Sequence, residues 1–336
     1  YDHVSSRAGD PQKHTHVLIA NVTFDKDGNA RSISNEKCLE YRKSADAIYH
    51  QELSRQLQAL GYNVRHDRAG HVEIADYTKE QLADFSTRSK EIEAALAGRG
   101  LTRETASAES RQVAALATRA PKNMPETRGV HEARWQVQAE LLGVKPAERS
   151  AAHINKCAQG WTAAQVAGHA VTEAASHLTE REAVMRAQDL HREAARAAEG
   201  RCAWADVEAA INDAARRGEL IATDDGRITT SRMLEIERTT DARLEEGRGA
   251  HRAVMTSRQF DSALAKFERS QGFALSDEQR AASKMILTNS DRYQGCQGLA
   301  GTGKTTMLKF VREAAEGAGW RVAGHSSGAE QAAVMQ

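Results

Sequence analysis

His14 and His16 sit within the run Asp10 to Asn21, whose β-branched and apolar continuation Val17 to Val22 reads as a buried strand. Strand side chains alternate, so both imidazoles face one side and Thr15 the other. Two imidazoles on one face are half of a divalent-metal site. His3 lies upstream across a turn-like segment containing Gly9 and Pro11, so a strand over residues 1–6 brings a third ring to the pair. The chain holds 13 histidines, and an isolated H-x-H pair also fits ordinary surface or core histidines. The wider string around the pair therefore carries the reading.

The second chemical stretch is Gly298-Leu299-Ala300-Gly301-Thr302-Gly303-Lys304-Thr305, which fits the phosphate-binding pattern G-x-x-x-x-G-K-[ST]. Its glycines let backbone N–H groups curl around a β-phosphate. Lys304 brings a mobile positive charge to the β- and γ-oxygens, and Thr305, followed by Thr306, can ligate Mg²⁺. Met307, Leu308, Phe310 and Val311 then run as an amphipathic helix. Arg321 to Ala323 reads as the next strand of a βαβ unit, and Tyr293 to Gln297 as a short, polar preceding strand.

The elements that must position these residues are mixed. After the histidine strand, expected over 16–24, a turn at Asp25-Lys26-Asp27-Gly28-Asn29 leads to a partner at Ala30 to Ile33. Asn35 to Leu60 reads as one helix with Tyr49, Leu53, Leu57 and Leu60 on its apolar side, which makes Tyr49 a core residue. Tyr62–His66 and His71–Ala75 flank a turn as a second hairpin. Thr78 with Gln81 offers a capping box for a helix bearing Leu82, Phe85, Ile92 and Leu96. Three of the four prolines, Pro121, Pro125 and Pro146, fall between 118 and 150, marking a connection. Ala, Glu and Arg dominate from there to about residue 215. A helix is expected over Leu178–Leu190, opened by Thr179, and another over Trp204–Ala215. Leu220–Ala222 and Arg227–Thr229 then form a small β wing. Helix, helix, wing is the order of a winged-helix DNA binder, and it serves equally as plain packing.

The 336 residues suffice for more than one domain, and a formal charge of zero leaves any nucleic-acid groove to local clusters of Lys and Arg. No apolar run reaches the roughly 20 residues of a membrane span, and no signal peptide opens the chain. Cys38, Cys157, Cys202 and Cys296 lie far apart, which suggests neither a zinc knuckle nor a disulfide framework.

His3, Ser6-Arg7, Asp10-Pro11-Gln12, His14-Thr15-His16 and Asn21 together resemble the three-histidine signature of MobF-class conjugative relaxases, the TraI/TrwC type of HUH endonuclease. The similarity continues through Tyr49-His50-Gln51-Glu52-Leu53, Phe85-Ser86-Thr87-Arg88-Ser89 and Ala117-Thr118-Arg119-Ala120-Pro121-Lys122. Lys13 departs from it, standing where the family usually carries an apolar residue. Leu275-Ser276-Asp277-Glu278-Gln279-Arg280-Ala281-Ala282 resembles the segment before the P-loop in superfamily-1 helicases of the RecD type. MobF relaxases carry that helicase after the nuclease, so the order of the two motifs agrees.

The resemblance implies an α+β relaxase domain with an antiparallel sheet, then a mostly helical region, then the start of an α/β P-loop helicase domain. The implied divisions are 1–125 for an N-terminally truncated relaxase domain and 126–165 for a linker. Residues 166–270 are a helical, winged-helix-like part, and 271–336 the start of a C-terminally truncated ATPase. It also implies metal-assisted nicking of plasmid DNA at an origin of transfer by a tyrosine that stays attached to the 5′ end, and ATP-driven 5′ to 3′ unwinding. His3, His14 and His16 would hold Mg²⁺ or Mn²⁺. Gly298, Gly301, Thr302, Gly303, Lys304, Thr305 and Thr306 would hold ATP with Mg²⁺, with Gln279 on the adenine edge. His325-Ser326-Ser327-Gly328 falls where such helicases first touch single-stranded DNA.

The nucleophilic tyrosines are expected upstream of Tyr1, and the Walker B acid and arginine finger beyond Gln336. No tyrosine of this chain, Tyr1, Tyr41 and Tyr49 included, is therefore nominated, and the segment itself is expected to be inactive. Expected partners are single-stranded DNA at the origin of transfer and accessory conjugation proteins, with no membrane insertion, in the bacterial cytoplasm. Arg7, Lys13, Arg65 and Arg68 are candidate phosphate contacts. Two other readings stay open: a rolling-circle replication or other mobilisation HUH nuclease, and a non-catalytic DNA-binding remnant.

Overall fold

A computed structural model describes residues 1–118, 127–153, 160–299 and 301–325. The chain divides into two compact units, Tyr1–Ser231 and Arg232–Gln336.

The first unit opens with β1 (Asp2–Ser5) and β2 (Pro11–Thr15), paired antiparallel with His3 opposite His14. A short hairpin follows, β3 (Thr23–Phe24) and β4 (Ala30–Arg31). Val17, Leu18 and Ile19 lie between these hairpins at 76%, 83% and 80% exposure, outside any strand. The buried strand expected there is absent, because no neighbouring strand among the described residues pairs with this run. Apolar, β-branched composition favours a strand only where a partner supplies the ladder and a face to pack on.

The single helix expected over Asn35–Leu60 is two: α1 (Glu36–Glu40) and α2 (Arg42–Ala59), divided at Tyr41. α2 buries Ser44, Ala47, Gln51 and Ser54 rather than its large apolar side chains, and Tyr49, expected in the core, is 59% exposed. Next come β5 (Val64–His66) and β6 (Val72–Ile74), antiparallel, then α3 (Lys79–Asp84) and α4 (Thr87–Ala97). Thr78 and Gln81 form the expected capping box on α3, but the helix breaks at Phe85-Ser86. α5 (Ala108–Ala117) packs on α4 around Leu96, Ala106 and Ala114. Within the stretch expected as a connection, Arg128–Leu141 is helix α6.

The largest core belongs to the helical region: α7 (Ala163–Leu178), α8 (Ala187–Ala198), α9 (Trp204–Arg216) and the hairpin β7 (Leu220–Ala222) with β8 (Ile228–Thr230). Val166, Ala170, Val171, Leu190, Ala194, Val207 and Leu220 fill it. Thr179 does not open a helix. It closes α7, its hydroxyl donating back to Ala175 O at 2.7 Å, and Thr162 with Gln165 forms the capping box that starts α7. α8 packs on the small-residue stripe of α2, so a face without large apolar groups is buried by close approach instead. α10 (Ser231–Glu246) leads out of this unit.

In the second unit α11 (Ser257–Gln271), α12 (Asp277–Thr288) and α13 (Lys304–Gly317) share a core of Phe260, Phe267, Leu287 and Phe310. Neither Tyr293–Gln297 nor Arg321–Ala323 forms a strand. Both were expected from the βαβ pattern, and among the described residues of this unit there is no strand for either to pair with. All strands among the described residues pair antiparallel, as expected, in four two-stranded hairpins.

Candidate metal centre and phosphate loop

β1 and β2 place the three histidines on one face. The ladder extends one pair past the strand ends: the Tyr1 amine donates to His16 O and the His16 amide to Tyr1 O, each at 2.9 Å. Directly opposed residues share a face, so Tyr1, His3, His14 and His16 stand together while Asp2 and Thr15 stand on the other. There Thr15 Oγ1 donates to Asp2 Oδ1 at 2.6 Å and holds that carboxyl below the usual range. Ring centroids lie 5.4 Å apart for His3–His14, 4.7 Å for His3–His16 and 4.9 Å for His14–His16. One nitrogen from each ring falls within 4.8 Å of the others. His14 Nδ1 lies 2.8 Å from Gln12 O, which puts the ring proton on Nδ1 and leaves the Nε2 lone pair for a ligand. Tyr1 stacks on His16 at 5.0 Å, a neighbour that sequence spacing does not reveal.

The turn between β1 and β2 is fixed from a distance in sequence. Ser6 Oγ accepts the amides of Ala8 and Asp10 at 3.2 and 3.1 Å, and Gly9 adopts φ +80°. Gly9 O accepts the Arg134 guanidinium and the Trp135 indole N–H, each at 2.8 Å, so α6 grips the turn. A Cβ on Gly9 would overlap the Arg134 guanidinium. Asp10 accepts the Thr87 amide at 3.0 Å and the Thr87 hydroxyl at 2.7 Å. α4 has no side-chain cap of its own, so Asp10 supplies one from the histidine hairpin. Asp10, Thr87, Arg134 and Trp135 thus hold the histidine turn through contacts that local spacing could not find, because their partners are 77 to 126 residues away.

The phosphate loop leads into α13, with Gly303 at its N-cap in the left-handed region, φ +73°, and Gly301 at φ +79°. Lys304 Nζ donates to Gly298 O and Leu299 O, each at 2.6 Å. Gln279 caps α12 together with Ser276, and its Nε2 donates to Thr302 O at 3.1 Å and Gly303 O at 3.3 Å. Gln279 is thus brought onto the loop, beside the N-terminus of a helix where an anion is favoured. Thr305 is exposed and Thr306 half-buried. Ala300 and the Ser326-Ser327-Gly328 part of the expected DNA contact lie outside the described residues, as do Arg119–Lys122.

Of the four candidate phosphate contacts, Arg7, Lys13 and Arg68 are exposed, whereas Arg65 pairs with Glu73 at 2.9 Å. No helix of the described residues is long and apolar enough to cross a membrane. Cys38 and Cys296 are exposed, and Cys202 is buried.

One chain thus carries a three-imidazole hairpin with the donor set of a divalent-metal site and, after it, a loop with the sequence pattern of a phosphate-binding P-loop. In comparison with known proteins, residues 1–142 match the TrwC relaxase family and residues 274–336 match an AAA domain. The two matches fall in that order along one chain, a stretch similar to the TrwC relaxase family first and a stretch similar to an AAA domain after it. It is 33% identical over 152 residues to the multifunctional conjugation protein TraI of Escherichia coli, a match covering 43% of this chain and 8% of TraI. It is 41% identical over 86 residues to a probable conjugal transfer protein TraA of Sinorhizobium fredii, covering 24% and 8%. Among solved structures, a metal-bound complex of the conjugative relaxase TrwC with oriT DNA is 34% identical over 43% of this chain and 50% of its own, with a TM-score of 0.40. A metal-free complex gives 35%, 44%, 51% and 0.40. The chain thus spans less than a tenth of the curated relatives it matches.

Proposed function

We propose that this chain is the part of a conjugative relaxase–helicase that carries the metal ligands of the nicking centre and the phosphate loop of the motor. The observation that carries the reading is the cluster of three imidazoles within 4.8 Å on one hairpin face, in a chain that also bears the P-loop. The relatives' names point the same way, as a conjugation protein and a probable conjugal transfer protein. We assign His3, His14 and His16 as ligands. Three neutral nitrogen donors suit Mn²⁺ or a later transition ion better than Mg²⁺, which prefers carboxylates and water. Once bound, such an ion supplies Lewis-acid polarisation of a phosphodiester oxygen.

The chain's own residues do the rest. Gln12 O holds the tautomer of His14, the Tyr1 ring covers His16, and Asp10 with α6 fixes the turn. Arg7, Lys13 and Arg68 meet the phosphates of single-stranded DNA. In the phosphate loop, Lys304 exchanges its two carbonyl partners for the oxygens of ATP, with Thr305 on Mg²⁺ and Gln279 and Thr306 beside them. The expected divisions at about residues 125, 165 and 270, a bacterial cytoplasmic location and accessory conjugation partners belong to the same proposal.

Calorimetric titration of Mn²⁺ into the whole chain, beside a His14→Ala, His16→Ala variant, tests it. One saturable site lost in the variant is the expected result. Identical isotherms for the two proteins would overturn the assignment.

A further inference from the structure

A second group of ligand-type side chains shares no residue with the three-histidine site. Asp46 and His50 stand one turn apart on α2, and His71 ends the turn between β5 and β6. His71 Nε2 lies 3.6 Å from Asp46 Oδ2, and His50 Nε2 lies 3.9 Å from Asp46 Oδ1. The His50 and His71 rings are 4.7 Å apart between centroids, and one donor atom from each of the three residues falls within 4.8 Å of the others.

The site is built from behind. Asp67 Oδ1 accepts the amides of Ala69 and His71 at 2.8 and 2.9 Å, and Asp67 Oδ2 lies 3.0 Å from His71 Nδ1. That bond holds the ring proton of His71 on Nδ1 and turns the Nε2 lone pair toward Asp46, the carboxylate–histidine support characteristic of metal ligands. Gly70 takes φ +85° against the Arg196 side chain of α8, so packing as well as hydrogen bonding sets the turn.

We propose that Asp46, His50 and His71 bind a borderline-soft divalent transition ion, with Zn²⁺ as the natural occupant, and that the ion clips the β5–β6 turn to α2. Two imidazoles and one carboxylate leave a fourth position for water, the donor set of an open tetrahedral zinc site. Ligand bonds near 2.0–2.1 Å put donor atoms about 3.3 Å apart, so the two Asp46 separations, made to its two oxygens, close by about 0.3 and 0.6 Å and the widest donor pair by no more than about 1.5 Å. His50 Nδ1 accepts a long bond from the Val72 amide, 3.3 Å, which places its neutral ring proton on Nε2. Ligation moves that proton to Nδ1 and gives up the Val72 bond, with no net proton released by His50.

The test uses the whole chain in the His14→Ala, His16→Ala background, so failure of this site and failure of the nicking-centre assignment read out separately. Zn²⁺ affinity is measured by competition with a chromophoric chelator. The expected result is one saturable equivalent whose affinity falls at least tenfold on His71→Ala. Asp46→Asn gives the same loss and decides the matter if the His71 variant does not fold. Asp67→Asn, which touches no ion, should weaken Zn²⁺ by about 10–100-fold through the tautomer of His71, an effect that a purely structural role would not produce. No saturable Zn²⁺ in the background variant, or a loss below tenfold on His71→Ala, overturns the site.

Discussion

Asp10→Ala is the sharpest probe of how the histidine hairpin is held. The carboxylate accepts two hydrogen bonds from Thr87, on its amide and its hydroxyl, and α4 has no other side-chain cap. Loss of a helix cap costs about 0.5–2 kcal/mol, and hydrogen bonds to a charged group contribute about 1.5–3 kcal/mol each when shielded from water. Asp10 is half-buried and its partners are exposed, so the lower ends apply and the two bonds together come to about 2 kcal/mol. At about 1.4 kcal/mol per decade, that is about a 30-fold change in local opening. Hydrogen exchange at the Thr87 amide should accelerate by that factor, and Mn²⁺ affinity should fall by no more than the same factor, because the ligands themselves stay. Asp10→Asn keeps one acceptor and should show about half the free-energy loss. If exchange at Thr87 quickens less than threefold in Asp10→Ala, the idea that this carboxylate ties the hairpin to α4 is wrong.

Gly303→Ala should lose nucleotide binding and cost roughly 1–3 kcal/mol in urea unfolding of the second unit, because the residue is left-handed and its Cβ would overlap Gln279 Nε2; pairing it with Gln279→Ala should recover only the overlap. Gly200→Ala meets Ser54 Oγ at 2.5 Å and the Arg55 amide nitrogen at 2.7 Å while also requiring φ +73°, so its melting temperature should drop further than for Gly218→Ala, where φ is +73° in open space; equal drops would remove the packing argument. Burial lowers the pKa values of His66 and His191 below the ordinary 6.5, against opposing pulls from Glu199 and Asp67 on His66 and Glu208 on His191. The unfolded chain then takes up protons first, so stability falls as pH drops from the unfolded value through the depressed folded values. Melting between about pH 7.5 and pH 5.5 should show that slope, flattened in a His66→Gln, His191→Phe variant, and an unchanged slope would contradict it.

The parts legible in the sequence were those whose cause is local. The three histidines follow from a period of two across a Gly-containing turn, and the P-loop and the Thr78 and Ser276 caps from fixed short spacings. What misled was composition without a partner. Val17–Val22 reads as buried strand, yet it lies exposed because no strand among the described residues pairs with it. α2 reads as helix with a Tyr-Leu face inward, yet it buries Ser44, Gln51 and Ser54. The reason sits more than a hundred residues downstream. α8 presents Ala194, Ala195 and Ala198 and ends with Glu199 in the left-handed region, leaving carbonyls without helical partners.

Those carbonyls explain why a polar stripe is the right face for α2 to bury. Beyond the last turn of α8, Gln51 Nε2 donates to Cys202 O and both Ser54 Oγ and Gln58 Nε2 to Glu199 O at 3.3 Å, while Ser44 Oγ donates to Gln188 O in the first turn of α8 at 2.7 Å. In return Glu52 accepts the Trp204 amide at 2.6 Å, the first N–H of α9. α2 therefore caps the end of one helix and the start of another more than a hundred residues downstream. An apolar face in that position would strand several buried backbone groups, each costing roughly 1–3 kcal/mol. The metal hairpin obeys the same logic at Gly9 and Asp10: in both places a turn or helix end is completed by side chains from far along the chain. The P-loop differs, since Gln279 bonds Thr302 and Gly303, and Lys304 bonds Gly298 and Leu299, all within about two dozen residues. Substitutions remote in sequence are thus expected to loosen the histidine site while leaving the phosphate loop unaffected.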